Sequence, residues 1–248
     1  MSNRQHPLER LVRRLEVHSP LDDKDRAAIL ALPYTLRTVE PQTYILREGD
    51  PPTHCAILVS GFAFRQKLTA EGSRQIVSIH IPGEPLDFQN LFLDVADHSL
   101  QTLTRAELAI VPRGELQDLA RSRSAIGHAI MVTILVEASI FREWILNVGR
   151  RDARARMAHL LCEFAARLDA YGLADEYGYE LPMTQEQLAD ALGLTPVHVN
   201  RTLKQLDAEG LIVRTRRSIS FPDWEKMRRV GDFNARYLHL EPQQSGRA

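Results

Sequence analysis

Residues 184–206 read TQEQLADALGLTPVHVNRTLKQL, and this stretch decides the fold of the C-terminal part of the chain. Thr184 is a good helix N-cap, and a glutamine three residues later completes a capping box. Gly193 permits the left-handed conformation that ends a first helix, and Thr195 followed by Pro196 begins a second one. The stretch therefore predicts two short helices joined by a tight turn, which is a helix-turn-helix.

The second predicted helix carries polar and basic side chains opposite its apolar positions. Asparagine can make a bidentate contact to adenine, and arginine one to guanine or to a phosphate. After Gly210 the sequence LIVRTRRSISF predicts a hairpin "wing" with a basic tip. Residues 195–217 hold five Lys or Arg against two acids, a local charge of +3 in a chain of net charge −1. The candidate DNA-contacting residues are Thr184, Thr195, Val197, His198, Asn200, Arg201, Lys204, Arg214, Arg216 and Arg217.

The composition is that of an average globular protein. Of 248 residues 44% are hydrophobic and 25% charged, which excludes a disordered chain and a collagen. The charged N-terminus lacks the apolar core of a signal peptide, and the most apolar stretch, 125–140, is interrupted by polar residues and reads as too short to span a bilayer. We therefore predict a cytoplasmic protein with no membrane partner.

Motifs for catalysis and for cofactors are missing from the sequence. It contains no P-loop, no dinucleotide fingerprint, no nucleophile elbow and no metal-ligand spacing. The two cysteines are too few for a four-cysteine zinc or iron–sulfur site. The sequence predicts a protein that is not an enzyme and holds neither metal nor cofactor.

The N-terminal half changes pattern at residue 34. Residues 7–32 have helical spacing interrupted at Ser19-Pro20, which predicts two short helices. Glycines at 49, 61, 72 and 83 then punctuate short β-rich runs, a pattern typical of a small antiparallel sandwich or barrel. The runs are Thr43–Leu46, Cys55–Ser60, Phe62–Leu68, Gln75–His80, Gln101–Thr104 and Ala106–Val111.

A long helix is predicted from about Ser122 to Val148, with a break at Asn147–Gly149. One apolar line alternates spacings of three and four, as in a coiled-coil seam, and a second line runs along another face. The seam could meet a second copy of the helix, or the whole helix could be buried between domains of one monomer. The candidate dimer residues are Met131, Ile134, Ala138, Phe141 and Ile145. Beyond the break, the spacing predicts another helix over 152–169 and a loop over 171–179.

Three β-domain motifs, LREGD at 46–50, LVSG at 58–61 and PGE at 82–84, stand before this helix-turn-helix. Together they resemble the Crp/Fnr superfamily, bacterial regulators related to the cyclic-AMP receptor protein and the fumarate–nitrate reduction regulator. The resemblance implies an α+β fold and a homodimer on a palindromic operator. It implies an antiparallel β-roll (jelly-roll) sensor at 1–120, a dimerisation helix at 121–149 and a winged helix-turn-helix at 150–248.

This sequence departs from the family at its ligand cassette. Cyclic-nucleotide binders carry a Gly-Glu pair soon after Pro-Gly-Glu and an arginine about ten residues on. Those positions hold Asp87, Phe88 and His98 here, and histidine replaces a bidentate guanidinium poorly. We therefore expect weak or no cyclic-nucleotide binding.

Other branches of the family fit no better. The iron–sulfur branch needs four cysteines, and the scattered histidines have no spacing that favours haem. Cys55 could be a small buried apolar residue or a redox-reactive thiol. Many members place a glutamate where Val197 stands, so we expect a different operator, with Val197 near a thymine methyl.

Polar residues in the cassette region leave two interpretations open. They could form a pocket for an unidentified polar small molecule, or a polar loop that packs against the long helix. The candidate partners are double-stranded DNA, a second copy of the chain, RNA polymerase and an unidentified effector. The alternative function is a ligand-sensing module that acts by protein contact, with a degenerate DNA-binding domain. The candidate pocket residues are Asp87, Phe88, Gln89, Asn90, His98 and Ser99.

Overall fold

The computed structural model describes residues 6–174 and 178–240, and their contacts divide into two compact units. The long helix predicted in the middle of the sequence contributes its first half to one unit and its second half to the other. The first unit comprises residues 6–66 and 79–138, and the second comprises residues 67–78 and 139–240.

Two short helices begin the first unit, as the sequence predicts. Helix α1 (Glu9–His18) ends at Ser19, where the backbone becomes extended, and helix α2 (Asp23–Leu30) follows. The Asp22 side chain caps α2 by accepting a hydrogen bond of 2.7 Å from the backbone N–H of Asp25. The apolar side of α1 lies in the core of the unit through Leu11, Val12 and Leu15.

Seven strands form two sheets, with the orders β1-β7-β3 and β2-β6-β4-β5. The pairs β1–β7, β3–β7, β2–β6 and β4–β6 are antiparallel. Six of the strands overlap the six predicted runs, although β6 begins and ends two residues before the run predicted at Gln101–Thr104. The strands are β1 (Thr35–Val39), β2 (Tyr44–Leu46), β3 (His54–Ser60), β4 (Ala63–Leu68), β5 (Arg74–His80), β6 (Ser99–Thr102) and β7 (Ala106–Pro112).

Among these seven strands, β1 is the one that sequence analysis missed. It lies at the edge of its sheet and pairs only with β7. Its first four side chains are exposed, so Leu36 and Arg37 do not alternate between core and solvent. An edge strand without a buried face has no period-two hydrophobic signal.

The predicted long helix is a single helix in the structure, and a further helix precedes it. Helix α3 (Arg113–Ser122) ends before α4 (Ser124–Arg150) begins, and α3 was not predicted. The predicted break at Asn147–Gly149 is wrong, because α4 continues to Arg150. Asn147 is buried, and its amide donates to the carbonyl of Arg156 at 3.3 Å. Gly149 is helical, so no left-handed residue ends the helix there.

Helix α4 is long and apolar enough, by length and composition alone, to cross a membrane. The expectation that this stretch is too short was therefore wrong. Within the first unit, however, one face of α4 packs into the hydrophobic core through Ile126, Ala129 and Ile130. The same half of the helix carries Glu137, which is ion-paired with Arg65. Core packing and an ion pair account for this apolar helix without a membrane.

The second unit contains the predicted helix-turn-helix and a small three-stranded sheet of order β8-β10-β9. The loop predicted at 171–179 is partly wrong, because Gly178–Glu180 forms strand β8; residues 175–177 lie outside the described part of the chain. Tyr179 is buried there and donates to the carbonyl of Leu161 at 3.1 Å. The elements are α5 (Ala153–Ala170), β8, α6 (Gln185–Leu192), α7 (Pro196–Ala208), β9 (Val213–Thr215), β10 (Ser218–Ser220) and α8 (Trp224–Val230).

A buried carboxylate joins three elements of the second unit. Glu163 on α5 is 1% exposed and accepts hydrogen bonds from the indole of Trp144 on α4, at 3.0 and 3.1 Å. The Tyr237 hydroxyl donates to it at 2.8 Å, and Arg167 adds a cation at 3.3 Å. A buried charge with this many partners fixes the end of α4 against α5.

Gly61, between β3 and β4, shows why glycine punctuates the first unit. Its φ is +81°, and an added Cβ would lie 2.4 Å from the carbonyl oxygen of Arg105. Gly49 also has a positive φ, +90°, but open space surrounds the position of its missing Cβ. Substitution of either glycine would strain the backbone. Substitution of Gly61 would in addition bring the new Cβ into collision with the backbone of Arg105.

We expect Gly49→Ala to destabilise the protein by about 1 kcal/mol, the cost of the left-handed backbone. Gly61→Ala should cost a further 1–3 kcal/mol or so, because the collision must be relieved by moving β7. Urea unfolding followed by circular dichroism measures both. Equal losses for the two variants would contradict the close approach at Gly61.

Candidate DNA interface and sensor core

The turn between α6 and α7 has the predicted geometry. The Thr184 hydroxyl accepts from the backbone N–H of Gln187 at 3.2 Å, and the Gln187 side chain accepts from the N–H of Thr184 at 2.8 Å. Gly193 has φ +62° and ends α6. The Thr195 hydroxyl caps α7 by accepting from the N–H of His198, and Pro196 occupies the first turn. Local sequence alone fixes this turn.

Helix α7 buries one face and exposes the other. Val199, Leu203 and Leu206 are each at most 1% exposed, as predicted. On the opposite face Val197 is 77% exposed, the highest value among the large hydrophobic residues that the structure describes. The exposed polar residues beside it are His198, Arg201 and Lys204. These side chains of α7 are open to solvent.

Asn200 has a partner that sequence analysis did not identify. Its side-chain amide donates to the Oε1 atom of Gln185, the first residue of α6, at 3.2 Å. The bond leaves the Asn200 carbonyl and one amide hydrogen for another partner, the pair that an adenine edge requires. The only signal in the sequence was that a polar residue, Gln185, follows the Thr184 cap. Its contact with Asn200 depends on how α6 and α7 cross, so the sequence alone did not reveal it. Gln185 borders one open groove with Pro196, Val197, Asn200, Arg201 and Lys204.

The predicted wing is present as the hairpin of β9 and β10. Thr215 pairs with Ser218, so Arg216 and Arg217 form the two-residue turn, and both are exposed. Arg216 has φ +56°, which a tight hairpin turn requires. The Arg217 carbonyl accepts from the N–H of Leu181 at 2.8 Å and ties the tip to the chain after β8. Two guanidinium groups thus stand at a well-anchored tip.

One of the two acids near this surface is neutralised. The carboxylate of Glu209 at the end of α7 accepts from Arg154 Nε at 3.0 Å. Its pKa is lowered chiefly by the hydrogen bond from Arg154. The cations of α7 and of the wing therefore dominate the local field.

The predicted pocket residues of the first unit do not share one environment. Asp87, His98 and Gln89 are brought together: His98 Nε2 and Gln89 Nε2 lie 2.8 and 3.0 Å from Asp87 Oδ1. Phe88 is instead part of the hydrophobic core. The Ser99 hydroxyl accepts from the backbone N–H of Glu48 at 3.0 Å. Asn90 is 2% exposed, and neither of its amide atoms has a hydrogen-bond partner among the residues that the structure describes.

Arg65 on β4 joins this cluster, and sequence analysis missed it. It is 1% exposed, and its Nε atom lies 3.2 Å from Asp87 Oδ1. Burial alone would raise the pKa of Asp87, but the charge of Arg65 and the hydrogen bond from His98 outweigh it, so the pKa is lowered. Asp87 therefore remains a carboxylate inside the unit.

Both cysteines are free and buried. Burial raises the pKa of Cys55 and of Cys162 to about 12. A thiol in that state forms almost no thiolate at neutral pH and reacts slowly. Of the two interpretations of Cys55, the structure favours the small buried apolar residue.

Two family models match the chain: a cyclic nucleotide-binding domain at residues 36–123 and a Crp-like helix-turn-helix domain at residues 155–230. The nitrogen fixation regulation protein FixK of Rhizobium meliloti is 30% identical over 199 residues, which cover 79% of this chain and 87% of that protein. The chain belongs to the Crp/Fnr family of transcription regulators.

Further relatives of this Crp/Fnr regulator agree. The transcriptional activator protein FnrL of Cereibacter sphaeroides is 28% identical over 208 residues, 81% of each chain. The structure of FixK2 from Bradyrhizobium japonicum has a TM-score of 0.75 at 24% identity and covers 82% of this chain and 100% of that one. The family membership confirms the predicted α+β fold and the DNA-binding regulatory function, and these relatives are regulators rather than enzymes.

His98 gives the first unit of this regulator a measurable pH signature. Burial lowers the pKa of His98, but the hydrogen bond and the charge of Asp87 outweigh that effect and raise it. A raised folded pKa stabilises the protein below the unfolded pKa, about 6.5, and that contribution is lost as the pH rises through the folded value.

We therefore expect wild type to have a higher Tm than His98→Gln, and we expect the gap between the two Tm values to be larger at about pH 6 than at about pH 8.5. The comparison is between variants because the pKa of His80 is lowered, chiefly by burial, and acts in the opposite direction in both proteins. Differential scanning calorimetry at several pH values measures the gap. A gap that grows with pH would contradict the ion pair of His98 with Asp87.

Proposed function

We propose that this Crp/Fnr regulator binds a two-fold symmetric operator as a homodimer, with α7 of each protomer in the major groove. The observation that carries the proposal is the contrast between the two faces of α7. The side chains of one face are exposed and are basic, polar or, at Val197, apolar, whereas the other face is packed against the unit. A face of this kind, followed by a basic hairpin, suits a groove with phosphates on either side.

The interface residues divide into two roles. Val197, Asn200 and Arg201 are the candidates for reading bases, through a thymine methyl, an adenine edge and a guanine edge. Gln185 orients Asn200 through the 3.2 Å hydrogen bond. The remaining candidates position the protein on the backbone and read little sequence. They are Thr184, Thr195, His198, Lys204, Arg214, Arg216 and Arg217.

The dimer is proposed to form along the exposed seam of α4. Met131 is 51% exposed and Ile145 69%, whereas Ile126 and Ile130 on the other face are at most 1% exposed. Exposed apolar residues at alternating spacings of three and four are what a second helix covers. The interior positions of the seam, Ile134, Ala138 and Phe141, are half-buried within one chain.

We further propose that the regulator works in the cytoplasm without a cyclic nucleotide and that RNA polymerase is its protein partner. The acidic and aromatic residues Asp87 and Phe88 stand where a cyclic-nucleotide binder needs its Gly-Glu pair. The name of the relative FnrL, a transcriptional activator protein, supports the choice of polymerase.

Substitutions should separate reading from positioning. Asn200→Ala should cost roughly 1–3 kcal/mol on the selected operator and relax the preference at one base pair. Gln185→Ala should relax the same base pair to a lesser degree, because Asn200 keeps its amide and loses only its orientation. Fluorescence anisotropy with single-base operator variants measures both effects.

Arg216→Ala is the matched control for this experiment. It should weaken binding to all duplexes alike and reduce the slope of log K against log salt concentration by about one. If Asn200→Ala and Arg216→Ala behave alike on operator and on random DNA, the division of roles is wrong.

The seam can be tested with a charged residue. Ile145→Asp should convert the dimer to a monomer in sedimentation velocity and weaken operator binding, since an unpaired carboxylate would be buried in the seam. Leu146→Asp is the control, because Leu146 is 44% exposed but lies one residue off the seam. Persistence of the dimer in Ile145→Asp would move the interface elsewhere.

A further inference from the structure

The side chain of Arg65 is buried inside the first unit although arginine is almost always charged. Only 2% of the side chain is exposed. A buried guanidinium is tolerated where it is matched by carboxylates and where each N–H has an acceptor. The partners of Arg65 therefore show what the cation is there to hold.

The partners of Arg65 come from two different parts of the unit. On one side the Nε atom lies 3.2 Å from Asp87 Oδ1, and an Nη2 hydrogen bonds to the carbonyl of Leu86. On the other side Nη1 and Nη2 lie 3.2 and 3.3 Å from the two carboxylate oxygens of Glu137 on α4. The fork of one guanidinium thus bridges the segment before the short 3-10 helix Phe88–Leu91 and the long helix.

The polar groups beside Arg65 are already bonded to one another. Asp87 Oδ1 contacts Arg65, Gln89 and His98. The Gln89 side chain is used at both ends, since its carbonyl also accepts from Arg65 at 3.4 Å. Both ring nitrogens of His98 have carboxylate neighbours, Asp87 at 2.8 Å and Asp97 at 2.7 Å. A polar effector entering here would have to displace these bonds.

We propose that Arg65 is a built-in substitute for an effector, which holds α4 in its DNA-competent position from within the chain. Glu137 lies one helical turn from Ile134 and from Phe141, the residues of the proposed dimer seam. Fixing Glu137 therefore fixes the face that α4 presents to its partner helix. Arg65 is a positioning residue, and the inference rests on the proposed dimeric DNA-binding function.

The first test compares folded, ligand-free variants on the operator that wild type selects. Arg65→Met keeps the aliphatic volume and removes the charge, and Glu137→Gln keeps the size and hydrogen-bonding capacity. Both should bind the operator about tenfold or more weakly at a temperature where circular dichroism shows them folded. Arg37→Met, which removes an exposed arginine from β1, is the control and should bind as wild type does.

The second test distinguishes a positioning role from a structural one by chemical rescue. Arg65→Ala lacks the atoms of ethylguanidinium, so millimolar ethylguanidinium should restore much of the operator affinity. Ethylammonium at the same concentration has no planar fork and should restore little. A change in Tm alone, with no change in DNA affinity, would assign Arg65 to stability only.

The inference is overturned if folded Arg65→Met binds the operator within about twofold of wild type. If Arg65→Met and Arg65→Ala do not fold, wild-type affinity in Glu137→Gln overturns it instead. The proposed function is judged on wild type alone, and it fails if wild type selects no duplex. The two failures are therefore distinguishable.

Discussion

The buried charge of Arg65 is the constraint around which the first unit is organised. A guanidinium inside a β domain needs carboxylates, and the structure supplies Asp87 from one segment and Glu137 from α4. Removing one partner of such a buried pair typically costs about 3–5 kcal/mol, because the other charge is left uncompensated. The network thereby explains the position of Glu137 on α4 and the contacts that bring Asp87, Gln89 and His98 together.

Helix α4 links that constraint to the proposed function. Its first half is anchored in the first unit by core packing and by Glu137, and its second half is anchored in the second unit by Trp144 and the buried carboxylate of Glu163. The polar anchor of each half orients the seam residues of that half relative to its own unit. Because half-site spacing on DNA follows from dimer geometry, the orientation of this seam bears directly on operator recognition.

The sequence predicted local structure well and long-range polar contacts poorly. The helix-turn-helix was predictable because the Thr184 cap, the Gly193 turn and the Thr195 cap act within a few residues. Strands β1 and β8 were missed because short edge strands depend on their neighbours more than on their own residues. Arg65 was missed because Asp87 and Glu137 lie 22 and 72 residues away, and an arginine in an alternating strand resembles a solvated one.

In the proposed mechanism, the ligand-free dimer already has the geometry that DNA requires. The most direct measurement is selection of duplexes from a random pool by the purified, ligand-free protein at near-physiological salt. The account predicts enrichment of a two-fold symmetric site whose half-sites lie about one helical turn apart. Absence of enrichment without an added small molecule, and its appearance with one, would contradict the claim that the chain supplies its own effector.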